Sequence, residues 1–395
     1  MPIPTHTPRL APTRLVGALI ASGALFASQG HAMNGAQLGG YGIKNAGMGG
    51  ASIALPLDAS AAVNNPAGMA FVPQSFAINV IAFNGQSKAK TPFGDFDDNT
   101  TVLAPEGGVN WVISPTMTVG LSLSAAGAGV DFGKPLIPGY TNVKGSQKVA
   151  EIIPSITWKV QPTLALGVSM NFATQQFNSQ GLAASPAPGV FVEIPGHGTQ
   201  TANGIGARLG MLWQTSPELS LGATYKFKTN MGQLGDYSTD ILRYSDGKID
   251  LPSEYGLGLA WKASPTITLV ADYLLIEYGG VKANQDPTGQ GWKDQQVLRL
   301  GLSWELNPNW TLRGGISANK RQIESDRAGQ NITSPAINDR AVTAGATFKL
   351  DKTSDLSFSI ESNPSSTLDG TGASTGFSIT GDRVQVIRFG YQRSF

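Results

Sequence analysis

The chain has 395 residues, a formal net charge of +1, 14% charged residues and no cysteine. A sequence without cysteine excludes a disulfide framework and a thiolate metal site. The near-zero net charge argues against a nucleic-acid partner. No stretch after the N-terminus has the ~20 apolar residues that a membrane-spanning helix needs.

The first 32 residues have the pattern of a targeting segment. Arg9 and Arg14 supply positive charge, residues 15–26 form a short apolar core, and the Gly-His-Ala sequence at 30–32 is a small-residue cleavage site. We therefore expect residues 1–32 to be a signal peptide that is removed after export. An uncleaved anchor is the alternative.

Residues 33–74 show no strand-like alternation. They are rich in glycine, yet apolar residues such as Ile43, Met48 and Met69 make the segment too apolar for a disordered tail. The chain that follows has the pattern of a β-barrel. A compact small-residue segment in front of such a barrel predicts a hatch packed in the barrel lumen. A periplasmic linker is the alternative.

The rest of the chain, residues 75–395, is organised by a repeated turn. The phrase Trp-x-x-x-Pro, followed by an alternating apolar stretch, begins at Trp111, Trp158, Trp213, Trp261 and Trp304, with a weaker copy at Phe348. Pro beside Ser, Asn or Gln is turn chemistry, and a period of two indicates a strand with two unlike faces. Fourteen antiparallel strands are predicted, near 75–84, 106–113, 117–128, 149–160, 163–176, 202–214, 218–229, 250–262, 266–279, 295–306, 309–320, 340–350, 355–362 and 383–394.

Three features decide between a membrane barrel and a soluble β-sandwich or lipocalin-like barrel. The aromatic residue always sits beside the short turn, as an interfacial girdle requires, and the strands reach the ~10 residues of a membrane barrel. The polar face consists mostly of Gly, Ser, Thr and Asn, which fill a dry core poorly. The fold class is therefore all-β, a transmembrane β-barrel with short turns in the periplasm, long loops outside and both termini periplasmic.

Three stretches of the predicted hatch resemble the long-chain fatty-acid transporter (FadL) family of outer-membrane proteins. They are Gly47-Met48-Gly49-Gly50-Ala51, Asp58-Ala59-Ser60 and Asn64-Asn65-Pro66-Ala67-Gly68-Met69. The resemblance implies a fourteen-stranded barrel, an N-terminal hatch inside it, and uptake of hydrophobic molecules. It makes Gly47, Gly49, Gly50 and the Asn64–Gly68 turn the candidate hatch residues.

The third strand runs into a glycine-rich stretch that interrupts its alternation. In the resembled family this strand carries an inward kink that opens the wall sideways, which makes Ala125, Ala126, Gly127 and Gly129 the candidate lateral gate. The proline that many members carry there is absent. A strand end softened by glycine is the alternative.

Alternation also places several charged side chains inside the barrel. They are Arg208, Arg299, Arg313, Arg388 and Asp272, which either hold the hatch and one another or meet a ligand carboxylate. The apolar loop at 178–201 is a candidate capture groove for a hydrophobic ligand, with ordinary loop packing as the alternative.

The predicted function is passive uptake of a hydrophobic compound, with long-chain fatty acids favoured, hatch movement and lateral exit at the third strand. Aromatic hydrocarbons, a general porin and a surface adhesin are the alternatives. We expect no enzyme activity and no cofactor, because the mature chain has one histidine, His197, and no catalytic or metal constellation. The expected partners are a hydrophobic small-molecule ligand and outer-membrane lipid, and the expected state is a monomer.

Overall fold

A computed structural model of the chain describes residues 35, 37–187 and 189–395, so the predicted signal peptide lies outside the described residues. Fourteen long strands form the wall: β1 Ser75–Thr91, β2 Gly94–Ser114, β3 Met117–Pro135, β4 Asn142–Gln161, β5 Leu164–Gln180, β6 Gln200–Gln214, β7 Leu219–Lys226, β8 Glu254–Lys262, β9 Ile267–Ile276, β10 Gln295–Glu305, β11 Trp310–Asn319, β12 Arg340–Lys349, β13 Ser354–Asn363 and β14 Ser378–Ser394.

The strands pair antiparallel in sequence order, and the sheet closes on itself. β1 pairs with β14 in a ladder that starts at Ser75 opposite Ser394. The prediction of a closed, fourteen-stranded antiparallel barrel is therefore confirmed. We call the end that carries the repeated short turns the turn end, and the opposite end the loop end.

The outer face of the wall is a belt of exposed apolar side chains. At the turn end Trp158, Trp213, Trp261 and Trp304 remain 42–48% exposed. Such a surface is stable only against lipid, with the indole rings at the headgroup level. Within the described residues, the protein has no helix with both the length and the apolar character needed to cross a bilayer.

Two predicted loops are wrong, because the strands continue beyond the apolar belt. The stretch predicted as a loop at 85–105 is a regular hairpin with its turn at residues 92–93, and most of 129–148 belongs to β3 and β4. Outside a membrane the outward side chains have no lipid to face. The apolar alternation therefore disappears while the ladder hydrogen bonds persist.

The smaller elements lie in the N-terminal segment and in the loops. The N-terminal segment holds a short helix, α1 Ile43–Ala46, and the 3₁₀ turns Ala61–Val63 and Pro66–Phe71. A hairpin of Ala183–Ala187 and Val190–Glu193 and the short strands Asn230–Met231 and Ser366–Asp369 lie at the loop end. Further 3₁₀ turns there are Gly235–Thr239, Arg243–Ser245, Tyr278–Gly280, Lys282–Gln285, Ser325–Arg327, Gly329–Asn331 and Gly372–Ser374.

Candidate transport path

The described part of residues 35–74, which we call the hatch, is almost entirely buried inside the barrel. It approaches the wall at inward-facing glycines on ten of the fourteen strands. A Cβ added to each of these glycines would lie within 4 Å of a hatch atom. These are Gly108, Gly120, Gly167, Gly210, Gly222, Gly258, Gly301, Gly315, Gly345 and Gly390. A side chain at most of these positions would collide with hatch atoms, so the wall is shaped to hold this segment.

The Asn-Pro-Ala motif forms an anchored turn. Asn65 caps the 3₁₀ turn Pro66–Phe71, its Oδ1 accepting from the Ala67 N–H at 3.1 Å, while its Nδ2 donates to the Met211 carbonyl of β6 at 3.0 Å. The Asn64 amide donates to the Tyr41 carbonyl at 2.9 Å. Close packing requires glycine at position 68, since a Cβ on Gly68 would lie 2.9 Å from Pro56 Cβ.

Of the remaining candidate hatch glycines, Gly47 and Gly49 lie against β11 and β12, whereas Gly50 lies against Gly39 and Gly40 of the hatch itself. A Cβ on Gly47 would lie 3.0 Å from Gly345 Cα, and the Gly49 N–H donates to Thr343 Oγ1 at 2.7 Å. Gly49 and Gly50 have φ values of +69° and +83°, which an L side chain rarely adopts.

The five predicted lumen charges lie beside the hatch or pair within the wall. Arg208 donates to the Asn64 carbonyl and to Glu254, both at 3.0 Å, and Arg299 donates to the Gly50 carbonyl at 3.2 Å.

The Asp272 carboxylate accepts from the Ser52 and Ile53 N–H groups at 2.6 and 3.1 Å. Arg388 pairs with Glu361 at 3.2 Å, and Arg313 donates to Thr347 at 2.7 Å. Among the residues that the structure describes, none of these five lines a cavity of the path. Their proximity to a ligand remains a prediction.

The loop end encloses a cavity of about 690 Å³. Its apolar lining includes Leu182, Phe191 and Ile194 of the predicted capture loop, together with Phe177 and Ile332. Tyr237 fixes this loop, since its hydroxyl accepts from the Ser179 N–H and donates to the Gly198 carbonyl. Burial raises the pKa of Tyr237, which keeps the hydroxyl protonated as this bond requires. The volume is in the range of small-molecule sites.

A narrower pocket of about 50 Å³ lies between this cavity and the hatch. Tyr41 of the hatch, Ala126 of β3 and Trp292 of the β9–β10 loop line it. So does a buried ion pair, Lys226 to Glu151 at 3.1 Å. We call it the lumen pocket. It is too small to hold a hydrophobic molecule unless the residues that line it move.

The wall is irregular next to the lumen pocket. The ladder between β2 and β3 ends at the Gly107–Leu123 pair, whereas β3 remains paired with β4 as far as Asp131. Toward the loop tips the two strands meet again, where the Asp131 N–H donates to Asp98 Oδ1 at 3.3 Å. Leu123 and Ala125 are buried although alternation turns them outward. The third strand therefore leaves the regular wall at this point.

The candidate gate residues are divided between the two faces of this strand. Ala126 lines the lumen pocket and, like Val102 and Ala104 of β2, packs against an apolar cluster that contains Leu38 of the hatch. A Cβ on Gly127 would lie 2.8 Å from the Gln147 carbonyl, and one on Gly129 would lie 2.7 Å from Ser146 Cα. These glycines permit a close approach of β3 to β4, so their substitution would disturb the ladder rather than fill an opening.

The parts of the path that sequence reasoning missed are the β7–β8 and β9–β10 loops. Ile249 and Asn284 from these loops line both the cavity and the lumen pocket. One signal was present in the sequence, since Trp292 is a tryptophan outside the repeated turns. Its burial and the loop's position depend on contacts with distant residues.

This arrangement defines a class, a closed membrane barrel with an inner hatch and a ligand-sized cavity at one end. Among the described residues, no group of three or more His, Cys, Asp or Glu side chains could hold a metal ion. Residues 23–374 match the family described as outer membrane protein transport protein (OMPP1/FadL/TodX). The chain belongs to this family of outer-membrane transport proteins, as its hatch motifs predicted. No curated protein sequence matches it.

Solved structures agree with the fold. The toluene transporter TodX of Pseudomonas putida is 18% identical, with 93% of this chain and 100% of that chain aligned at a TM-score of 0.68. The Ralstonia pickettii toluene transporter TbuX is 16% identical over 90% and 99%, at 0.67. A FadL homologue from Pseudomonas aeruginosa is 16% identical over 91% and 100%, at 0.69. At these identities the likeness concerns the fold alone.

Proposed function

We propose that the protein is a passive, monomeric channel that takes uncharged hydrophobic small molecules across the outer membrane. The loop end faces outward and both termini are periplasmic, as the short turns and long loops favour. The observation that carries the proposal is the continuity of the loop-end cavity, the lumen pocket and the place where the β2–β3 ladder ends.

The charges along the path favour an uncharged cargo. Among the described residues, the lining of the loop-end cavity holds two carboxylates, Asp240 and Asp286, and no Lys or Arg. Deeper down, the charge of Lys226 is already paired with Glu151. A fatty-acid anion would lose its hydration without gaining a free cation. Aromatic hydrocarbons belong to the class of uncharged hydrophobic cargo that we propose. The toluene transporters of similar fold support this choice of cargo.

Fatty acids are the second candidate because Lys226 does line the lumen pocket. Uptake of radiolabelled toluene and of oleate by cells with and without the protein tests the choice. We expect the protein to accelerate toluene uptake and to leave oleate uptake near the background level. Oleate uptake that depends on Lys226, abolished by Lys226→Met, would establish the second candidate instead. No gain for either compound would reject the channel.

A general porin requires an open lumen, whereas in this barrel the hatch lies against inward-facing glycines on ten strands. A surface adhesin would use the loops and leave uptake unchanged when the protein is removed. Both alternatives are therefore tested by the same uptake measurement, together with ion conductance in a planar bilayer.

The exit that we propose is lateral, between β2 and β3. Small movements of the N-terminal part of the hatch, around Leu38 and Tyr41, would widen the lumen pocket toward Ala126. The cargo then reaches lipid without crossing the rest of the hatch, whose contacts with the wall are far more numerous.

Ala126→Phe tests this exit because it fills the opening from the inside. We expect uptake to fall to background while the barrel stays folded and heat-modifiable on a gel. Ala344→Phe is the control, since Ala344 is exposed on the outer face of β12. Normal uptake by Ala126→Phe would reject the lateral exit and favour a straight path through the turn end.

A further inference from the structure

Among the described residues, four line both the loop-end cavity and the lumen pocket, and we call them the neck. They are Gln147, Ile249, Asn284 and Gln290. Any molecule that moves from one cavity to the other passes these side chains. Three of the four carry a carboxamide, although the cavities on either side are largely apolar.

The neck is assembled from parts that are distant in sequence and held in place. Gln147 belongs to β4, opposite Ala128 in the ladder with β3, while Asn284 and Gln290 belong to the β9–β10 loop. That loop is fixed by Trp292, which is 4% exposed and donates from its indole N–H to Asn331 Oδ1 at 2.6 Å.

Tyr278 packs edge-on against Trp292, with ring centroids 5.2 Å apart. The Asn284 amide donates to the Tyr278 carbonyl at 2.9 Å, so this side chain is oriented. The neck therefore has a defined geometry.

The side-chain amides of the neck have hydrogen-bond donors and acceptors that the protein does not use. Within the described residues, the side chains of Gln147 and Gln290 form no hydrogen bond with the protein, and Asn284 uses its Nδ2 but not its Oδ1. All three are partly exposed, so water satisfies them while the path is empty. A hydrocarbon in the neck displaces that water and offers no bond in return, and an unmade bond at a buried polar group is costly.

We infer that the neck favours neutral hydrophobes that carry one hydrogen-bonding group, such as a hydroxyl or carbonyl, over hydrocarbons of the same size. A hydroxyl can donate to an amide oxygen and accept from an amide N–H, which replaces the displaced water. The rest of the molecule still packs against the apolar walls. This inference rests on the proposed uptake of uncharged hydrophobes and specifies which of them move fastest.

The test compares uptake of radiolabelled 1-dodecanol and dodecane by energy-poisoned cells, with the uptake of cells lacking the protein subtracted. The variant is Gln147→Leu with Gln290→Leu, which keeps the side-chain volume and removes two amides. Gln330→Leu is the matched control, since Gln330 lines the loop-end cavity but not the neck. Gln290→Leu alone serves if the double variant does not fold, because this residue lies in a loop outside the ladders.

We expect the wild type and Gln330→Leu to take up dodecanol faster than dodecane. The double variant should lower the dodecanol-to-dodecane ratio by at least about fivefold, which corresponds to about 1 kcal/mol. An unchanged ratio, or an equal fall of both rates, would overturn the role of the neck while leaving the channel intact. Uptake of neither compound by the wild type would reject the channel itself, and the inference with it.

Discussion

Replacing Gly315 by alanine should loosen the hatch, whereas the same change at the neighbouring Gly314 should not. Gly315 faces the lumen from β11, and a Cβ there would contact the backbone of the hatch at Met48 and Gly49. Gly314 faces outward, and its Cβ would have nothing nearer than the Thr343 carbonyl oxygen at 3.9 Å. The two variants differ only in which side of the wall receives the methyl group.

The structure sets the size of the effect. The new methyl group would lie 2.8 Å from Met48 Cα, and closer still to the neighbouring backbone atoms, so the hatch must retreat by at least about 0.6 Å to restore the 3.4 Å of ordinary contact. That retreat also stretches the hydrogen bond from the Gly49 N–H to Thr343. Overpacking of this kind costs about 1–3 kcal/mol. Gly314→Ala should be neutral or stabilise by up to about 1 kcal/mol, since glycine is unfavourable inside a strand.

Two measurements follow from this reasoning. Urea unfolding in lipid vesicles should give a lower free energy of unfolding for Gly315→Ala than for Gly314→Ala, and the first variant should conduct ions more often in a planar bilayer. Equal unfolding free energies and equally closed channels would refute the idea that the glycines of the wall hold the hatch. Loss of heat-modifiable migration would show a damaged barrel, which the Gly314→Ala control should not share.

Two further predictions concern buried and exposed charges. Arg388→Met leaves Glu361, which is 2% exposed, without its cation and should lower the free energy of unfolding by about 3–5 kcal/mol. Adding Glu361→Gln should recover most of that loss, and a double variant as unstable as the single one would contradict the pairing. In the β12–β13 turn, hydrogen bonds from Ser354 and Thr353 hold the pKa of Asp351 below its ordinary 3.8. Its stabilising contribution is therefore complete above pH 3.8 and is lost as the pH falls further. The difference in unfolding free energy between the wild type and Asp351→Ala should shrink below that pH, and a constant difference would exclude this role.

The sequence alone specified the number of strands, their faces and the short turns. These features are local: a period of two sorts side chains between lipid and lumen, and a turn needs particular residues at particular positions. The hatch motifs were visible in the sequence through their resemblance to the FadL family. The structure adds the reason for one of them, since Gly49 has a backbone conformation that other residues rarely adopt. The strand extensions of β1 and β2 were missed because no lipid selects apolar residues there.

Only the tertiary structure decided what the inward-facing residues do. Alternation places Arg208 and Asp272 inside the barrel, but whether they meet a ligand or the hatch depends on which backbone lies opposite, some 144 and 220 residues away. The end of the β2–β3 ladder and the neck are likewise products of register and of loops that meet across the barrel. Hydrogen bonds between strands and contacts between distant loops leave no periodic pattern in the sequence. Neither the end of the β2–β3 ladder nor the neck could therefore be deduced from the sequence alone.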